Sequence, residues 1–221
     1  KLKNTYITSS SAGFVGAVLL KLYPNIQFTN YLSNMCFPLL EDAQSKNTGV
    51  FFNWNNCVRK MLKNVISNYE KKNNENIFTR WKNELGIFIL QKQSFCNLNF
   101  KNKIIEDWEN ENEFIDCVVS STFIPIFDSW KLTSKYKNTQ CIDSSLFSHD
   151  SILKNILKNK DKQLIISTKM FRKVPYHYYM VSTNKDFVEK LYNLGRTDAL
   201  DNINVFEDFF NSKWAKFILS I

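Results

Sequence analysis

Apolar and polar positions fall in short blocks along this chain, and the period changes from one block to the next. Residues 4–9 form a β-prone run, residues 10–13 are all small, and an apolar stretch at 14–22 follows until Pro24 halts it. That order predicts a strand, a tight turn and a buried helix. Trp54, Cys57, Val58, Met61, Leu62, Val65, Ile66 and Tyr69 recur at the i, i+3, i+4, i+7 spacing of one helix face. Runs at 86–90, 140–143 and 163–167 predict short strands, and runs at 112–120, 185–194 and 205–218 predict helices. In the last of these, Val205, Phe206, Phe209, Phe210, Trp214, Phe217 and Ile218 would share one broad aromatic face. Core packing is its first reading; with Lys213 and Lys216 beside it, a lipid headgroup boundary is the second. Residues 72–76 and 134–139 are expected as exposed loops. Strands alternating with helices predict an α/β layered fold, and no internal repeat interrupts it.

Composition narrows the class. A chain of 221 residues with 44% hydrophobic content can bury one sizeable core, so one domain is expected. The formal charge of +8 favours anionic partners, but Lys and Asn are spread along the whole chain, for instance at 71–76 and 154–162. No Arg/Lys stripe alternates with aromatics as a nucleic-acid surface requires, so nucleic acid is not an expected partner. Cys36, Cys57, Cys96, Cys117 and Cys141 are odd in number, far apart and never in a C-x-x-C arrangement, which indicates neither a disulfide framework nor a zinc site. A reducing compartment fits. No secretory pattern is visible, and the longest apolar run, at 14–20, is far short of the ~20 residues that span a bilayer. The expected location is the cytoplasm or the periphery of an intracellular membrane. No acidic loop has calcium-ligand spacing, and no metal or cofactor is expected.

The small residues at the first turn carry the chemistry. Ser9-Ser10-Ser11-Ala12-Gly13 lies between a strand and a helix, the setting of a G-x-S-x-G nucleophile elbow with Ser9 in place of the first glycine. Such an elbow holds its nucleophile in a strained turn, so the flanking positions must be small, and Ser9, Ala12 and Gly13 are. The helix behind it directs its positive end toward the Ser11 hydroxyl, and the Ala12 amide is placed to donate to an oxyanion. A serine nucleophile needs a base. The chain holds two histidines, His149 in Ser148-His149-Asp150 and His177 in a Tyr-rich stretch, neither at a triad position. An aspartate acting directly on the serine is the alternative.

Four segments point the same way. Ser9 to Gly13 followed by Gly16-Ala17 resembles the G-x-S-A-G elbow and buried helix of the patatin-like phospholipases. Ser120-Ser121-Thr122-Phe123-Ile124-Pro125 resembles that family's small-residue run ending in Ile-Pro. Ile142-Asp143-Ser144-Ser145 is similar to its D-G-G or D-G-A aspartate motif, and Gly195-Arg196-Thr197-Asp198-Ala199-Leu200 to its G-Y-x-D-A-L helix start. Their shared order covers nearly the whole chain.

The resemblance implies a three-layer α/β/α sandwich with a central, mostly parallel sheet. It implies a lipid acyl-ester hydrolase of the phospholipase A or lysophospholipase type, acting on a phospholipid or other glycerolipid at a membrane surface. Ser11 would be the nucleophile, Asp143 the general base and the Ala12 amide an oxyanion donor. Asp143 also reads locally as a turn or cap residue at a strand end. Two departures stand against the family pattern. Ser144 and Ser145 replace glycines, and serine accepts a positive φ at a cost of order 1 kcal/mol, so a differently shaped aspartate loop is expected. The family's glycine-rich oxyanion loop precedes the elbow by a strand and a helix, a position before Lys1, so residues 1–221 are expected as one domain without it. Losing one oxyanion donor lowers the rate roughly 10²–10³-fold, which makes a catalytically impaired lipid-binding or interaction module the alternative.

Overall fold

The β-prone run is strand β1 (Tyr6–Ser9) and the apolar stretch behind it helix α1 (Gly13–Leu22). They belong to a computed structural model that describes residues 5–23, 37, 41–42, 45, 52–82, 84–93, 99–146, 162–166, 185–211 and 215–219. Helix α2 (Trp54–Asn73) buries Val58, Leu62, Val65, Ile66 and Tyr69, the apolar face its spacing announces. It runs two residues into the expected loop and ends where Asn74 turns left-handed at φ 51°. A short helix α3 (Ile77–Trp81) leads into strands β2 (Leu85–Lys92) and β3 (Phe100–Ile105). Helix α4 (Glu111–Ser121) starts at a reciprocal cap. The Glu113 N–H donates to Asn110 Oδ1 at 3.0 Å, and Glu113 Oε2 accepts the Glu109 N–H at 3.0 Å.

The segment at 134–139 is a hairpin rather than an exposed loop. Strands β4 (Ser134–Tyr136) and β5 (Thr139–Ile142) are joined by Lys137 and Asn138, both left-handed at φ 44° and 62°, the backbone a two-residue hairpin turn requires. Tyr136 is buried and donates to Glu113 Oε1 at 2.9 Å, which anchors the hairpin to α4.

After β6 (Lys162–Ile166) come helices α5 (Lys185–Asp201) and α6 (Ile203–Phe210), then β7 (Ala215–Leu219). The single helix expected at 205–218 is therefore wrong beyond residue 210, and its aromatic face is divided: Phe206, Phe209 and Phe210 pack against the core from α6, as the first reading had it. Phe209 is buried on α6, whereas Phe217 and Ile218 belong to a strand, and Trp214 lies outside the described residues. β7 runs between β1 and β6, parallel to both, and so satisfies backbone groups on edges that a helix would leave open.

The described strands form one mixed sheet in the order β4-β5-β2-β1-β7-β6, with β3 on the other edge of β2. β6, β7, β1 and β2 are parallel neighbours, whereas β3 and β5 run antiparallel to β2. Ile87 of β2 pairs with Ser9 on one side and Ile105 on the other, and Leu90 pairs with Ile142 and Asn102. Since β3 occupies one edge throughout, β1 and β5 must share the opposite edge. They approach each other end to end along it, each with its carboxyl end at the junction. This mixed α/β architecture matches the expected class.

Below the sheet, Ile7, Leu85, Ile87 and Ile89 join Phe14, Ala17 and Val18 of α1, Leu62 and Ile66 of α2, and Phe114 and Val118 of α4 in one buried cluster. Phe114 meets Trp108, Trp81 and Phe78 at centroid separations of 5.0, 5.1 and 5.8 Å. The Lys21 ammonium is buried at the end of α1, donating to Thr5 O at 2.6 Å and Glu84 Oε2 at 3.0 Å, which ties the helix to the entries of β1 and β2. No helix among the described residues is long and apolar enough to cross a membrane.

Candidate active site

The junction between β1 and β5 sets the site. Beyond Ser9 the chain turns through Ser11, which is left-handed at φ 51°, a conformation that costs a non-glycine residue roughly 1–2 kcal/mol. Consecutive tight turns then open α1: Gly13 N–H donates to Ser10 O at 3.0 Å, Phe14 N–H to Ser11 O at 3.3 Å and Val15 N–H to Ala12 O at 3.2 Å. From the opposite direction β5 ends at Ile142 and delivers Asp143, which is buried. Ser11 Oγ donates to Asp143 Oδ2 at 2.5 Å across 132 residues of sequence. The structure thus brings together the two residues named as nucleophile and base. The Ala12 N–H makes no hydrogen bond among the described residues, leaving the first amide of the helix end unspent.

One segment holds both halves of the pair. Ser121 Oγ accepts the Ser11 N–H at 3.2 Å and donates to Phe88 O at 2.6 Å, so it bridges the elbow to β2. Two residues on, Phe123 O accepts the Asp143 N–H at 2.8 Å. The run of Ser120 to Phe123 is buried, and its small side chains let α4 end against the elbow. Its role as a clamp was not apparent from sequence, although its resemblance to a family motif was the available signal.

The serines after Asp143 do not incur the positive-φ cost weighed for them. They enter a 3₁₀ turn (Ser144–Leu146), where neither Ser144 nor Ser145 has a positive φ. Ser144 Oγ lies 2.7 Å from Ser10 Oγ in a buried hydrogen bond, a cross-link between the two strand ends that glycine could not make.

Asp128 is a second buried carboxylate near the pair, and nothing in the sequence marked it. Its Oδ2 accepts the Ile124 N–H at 2.9 Å and its own N–H donates to Ile124 O at 3.2 Å. Its Oδ1 has no partner of good hydrogen-bond geometry, although the Asn55 amide is close enough to favour the charge. Burial is the main reason its pKa rises from 3.8 to about 6, and the Asp143 charge pushes in the same direction.

The remaining motifs fall elsewhere. Gly195 to Leu200 occupies the last turns of α5 rather than a helix start, and Gly195 faces open space. A cleft of about 660 Å³ between α5 and α6 is lined by Ala199, Leu200, Ile203, Phe206 and Phe210 and includes neither Ser11 nor Asp143. Cys57, Cys117 and Cys141 are free thiols; burial pushes Cys117 up strongly and Cys141 to about 11, the opposite of an activated thiolate. His149, His177, Cys36 and Cys96 lie outside the described residues. Compared with known proteins, the chain matches no family model, no curated protein and no solved structure.

Proposed function

We propose that this protein is a serine-dependent lipid acyl-ester hydrolase of the patatin-like type, with Ser11 as nucleophile and Asp143 as base. The observation that carries the proposal is the 2.5 Å hydrogen bond from Ser11 Oγ to Asp143 Oδ2, made by a left-handed serine at a strand-to-helix elbow. Supporting it is the order of the four motif-like segments along the chain. The corresponding architecture is the three-layer α/β/α sandwich, supported by the parallel strands β6, β7, β1 and β2 and by the elbow at the end of β1.

In the forward step, Ser11 Oγ attacks the ester carbonyl as Asp143 Oδ2 takes its proton. The negative charge that develops on the carbonyl oxygen is met by the Ala12 N–H and the positive end of α1. Collapse breaks the acyl–oxygen bond, and the departing alcohol leaves with the proton from Asp143. Water then repeats the sequence on the acyl-serine, Asp143 taking its proton and returning it to Ser11. Ser121 keeps the Ser11 backbone in its strained form through both steps. The substrate class is a phospholipid or another glycerolipid, approached from a membrane surface.

Labelling by a fluorophosphonate and hydrolysis of a short-chain ester test the proposal together. Ser11→Ala should abolish both, and Asp143→Asn, which cannot take the serine proton, should lower hydrolysis by about 10³-fold or more while circular dichroism stays unchanged. His149→Ala and His177→Ala should keep most activity. A wild-type protein that is folded yet neither labelled nor active would leave the lipid-binding module as the better reading.

A further inference from the structure

The loop from Ile124 to Leu132, which links α4 to β4, has its polarity reversed. Its single acid, Asp128, is turned inward and is 4% exposed, while Ile126, Trp130 and Leu132 are 51%, 84% and 67% exposed. Ile124, one residue past the carbonyl that holds the Asp143 amide, is 36% exposed, and Leu146, three residues past Asp143, is 46% exposed.

The loop is not a loose tail. Ile126 N–H donates to Lys131 O at 3.4 Å, Asp128 binds Ile124 through both side chain and backbone, and the Phe52 N–H donates to Phe127 O at 2.9 Å. Trp130 leans on Phe52 with centroids 5.4 Å apart. Ile126 is left-handed at φ 69°, a conformation β-branched residues strongly avoid, so the fold holds this side chain outward against its local preference.

The outer face therefore carries apolar groups and one cation, Lys131, with no exposed acid in the loop. Lys131 makes no ion pair among the described residues. Exposed Trp and Ile beside unpaired Lys match an anionic lipid–water boundary, where rings sit at headgroup depth and ammonium groups meet phosphate. Among the described residues these few side chains are far fewer than the ~20–30 residues per side of a stable protein interface, which disfavours a second copy as the occupant.

We infer that the Ile124 to Leu132 loop, with Leu146, is the surface by which this protein docks on anionic lipid, placing the Ser11–Asp143 pair at the bilayer edge. The inference rests on the hydrolase reading for its substrate but is tested apart from it. Co-sedimentation with vesicles of phosphatidylcholine and phosphatidylserine is compared with vesicles of phosphatidylcholine alone, in the Ser11→Ala background so that no lipid is consumed. The expected result is binding that falls about tenfold or more with Trp130→Glu/Leu132→Glu and less with Lys131→Glu, the latter only on the anionic vesicles. In the active background, the double variant should hydrolyse a water-soluble ester at the wild-type rate. Vesicle binding that fails in the unaltered loop, or survives the double variant, overturns the inference. So does a double variant whose only change is a smaller mass in sedimentation velocity, the mark of a contact between copies. Binding that depends on the loop in a protein without ester hydrolysis would instead remove the hydrolase reading and leave the docking surface standing.

Discussion

Asp128 shows how a single buried group contributes to the pH dependence of stability. Its folded pKa, about 6, lies above the ordinary aspartate value, so the folded state binds the proton more tightly than the unfolded state does. The stabilisation is complete below the unfolded value of ~3.9 and is lost as pH rises through about 6. Ionised Asp128 therefore opposes folding at neutral pH by roughly 3 kcal/mol. Asp128→Asn keeps an oxygen to accept the Ile124 N–H and has no charge to bury. Urea unfolding at pH 8 should show the variant to be more stable by up to about that amount, with the gain nearly gone at pH 4. A gain that does not grow with pH would mean that Asp128 is not held in its protonated form by the fold. Nothing in the sequence signals this residue, because its burial follows from the path of a loop and not from any local pattern. Ser11 is the contrary case, since small neighbours between a strand and a helix already specify a strained turn.

Among the elements, β2 carries the sharpest packing constraint. A Cβ on Gly86 would lie 2.5 Å from Tyr6 Oη, 2.8 Å from Ile104 Cγ2 and 3.3 Å from Thr8 Cγ2, so β1 and β3 close over it from both sides. Gly86→Ala should cost about 1–3 kcal/mol in thermal unfolding. Tyr6→Phe removes the nearest of those atoms, so the double variant should recover part of the loss; an additive result would show that the crowding lies elsewhere. Elements defined by their own residues were legible: β1, α1, α2 and α4 all lie within a few residues of where apolar spacing put them. Strand β5 was legible too, within a residue of the run at 140–143, but β4 and the turn into β5 were not, because Ser134 to Thr139 is polar and its one deep anchor, Tyr136, is buried by contact with α4. The left-handed pair at Lys137-Asn138 was the available clue, with asparagine as its favoured residue.

At the scale of the molecule, β7 joins β6 to the rest of the sheet. Ile218 pairs with Thr8 on one side and with Ile165 on the other, so its strand has no free edge. Proline there removes a ladder donor and should destabilise by on the order of 3 kcal/mol, a large fraction of a domain's stability and enough to lower its melting temperature clearly. Retention of the wild-type melting curve would contradict the central position of β7. The sequence hid this strand because apolar residues at 205–218 satisfy a helical period, and only an unfilled edge of β1 selects the extended form. The end-to-end meeting of β1 and β5 on one edge of β2 has a consequence for biosynthesis. Ser11 is made 132 residues before Asp143, and their hydrogen bond joins the ends of two strands that are both seated on β2. On the hydrolase reading proposed above, a chain that has not yet delivered Asp143 carries a serine without its base, so its chemistry waits on assembly.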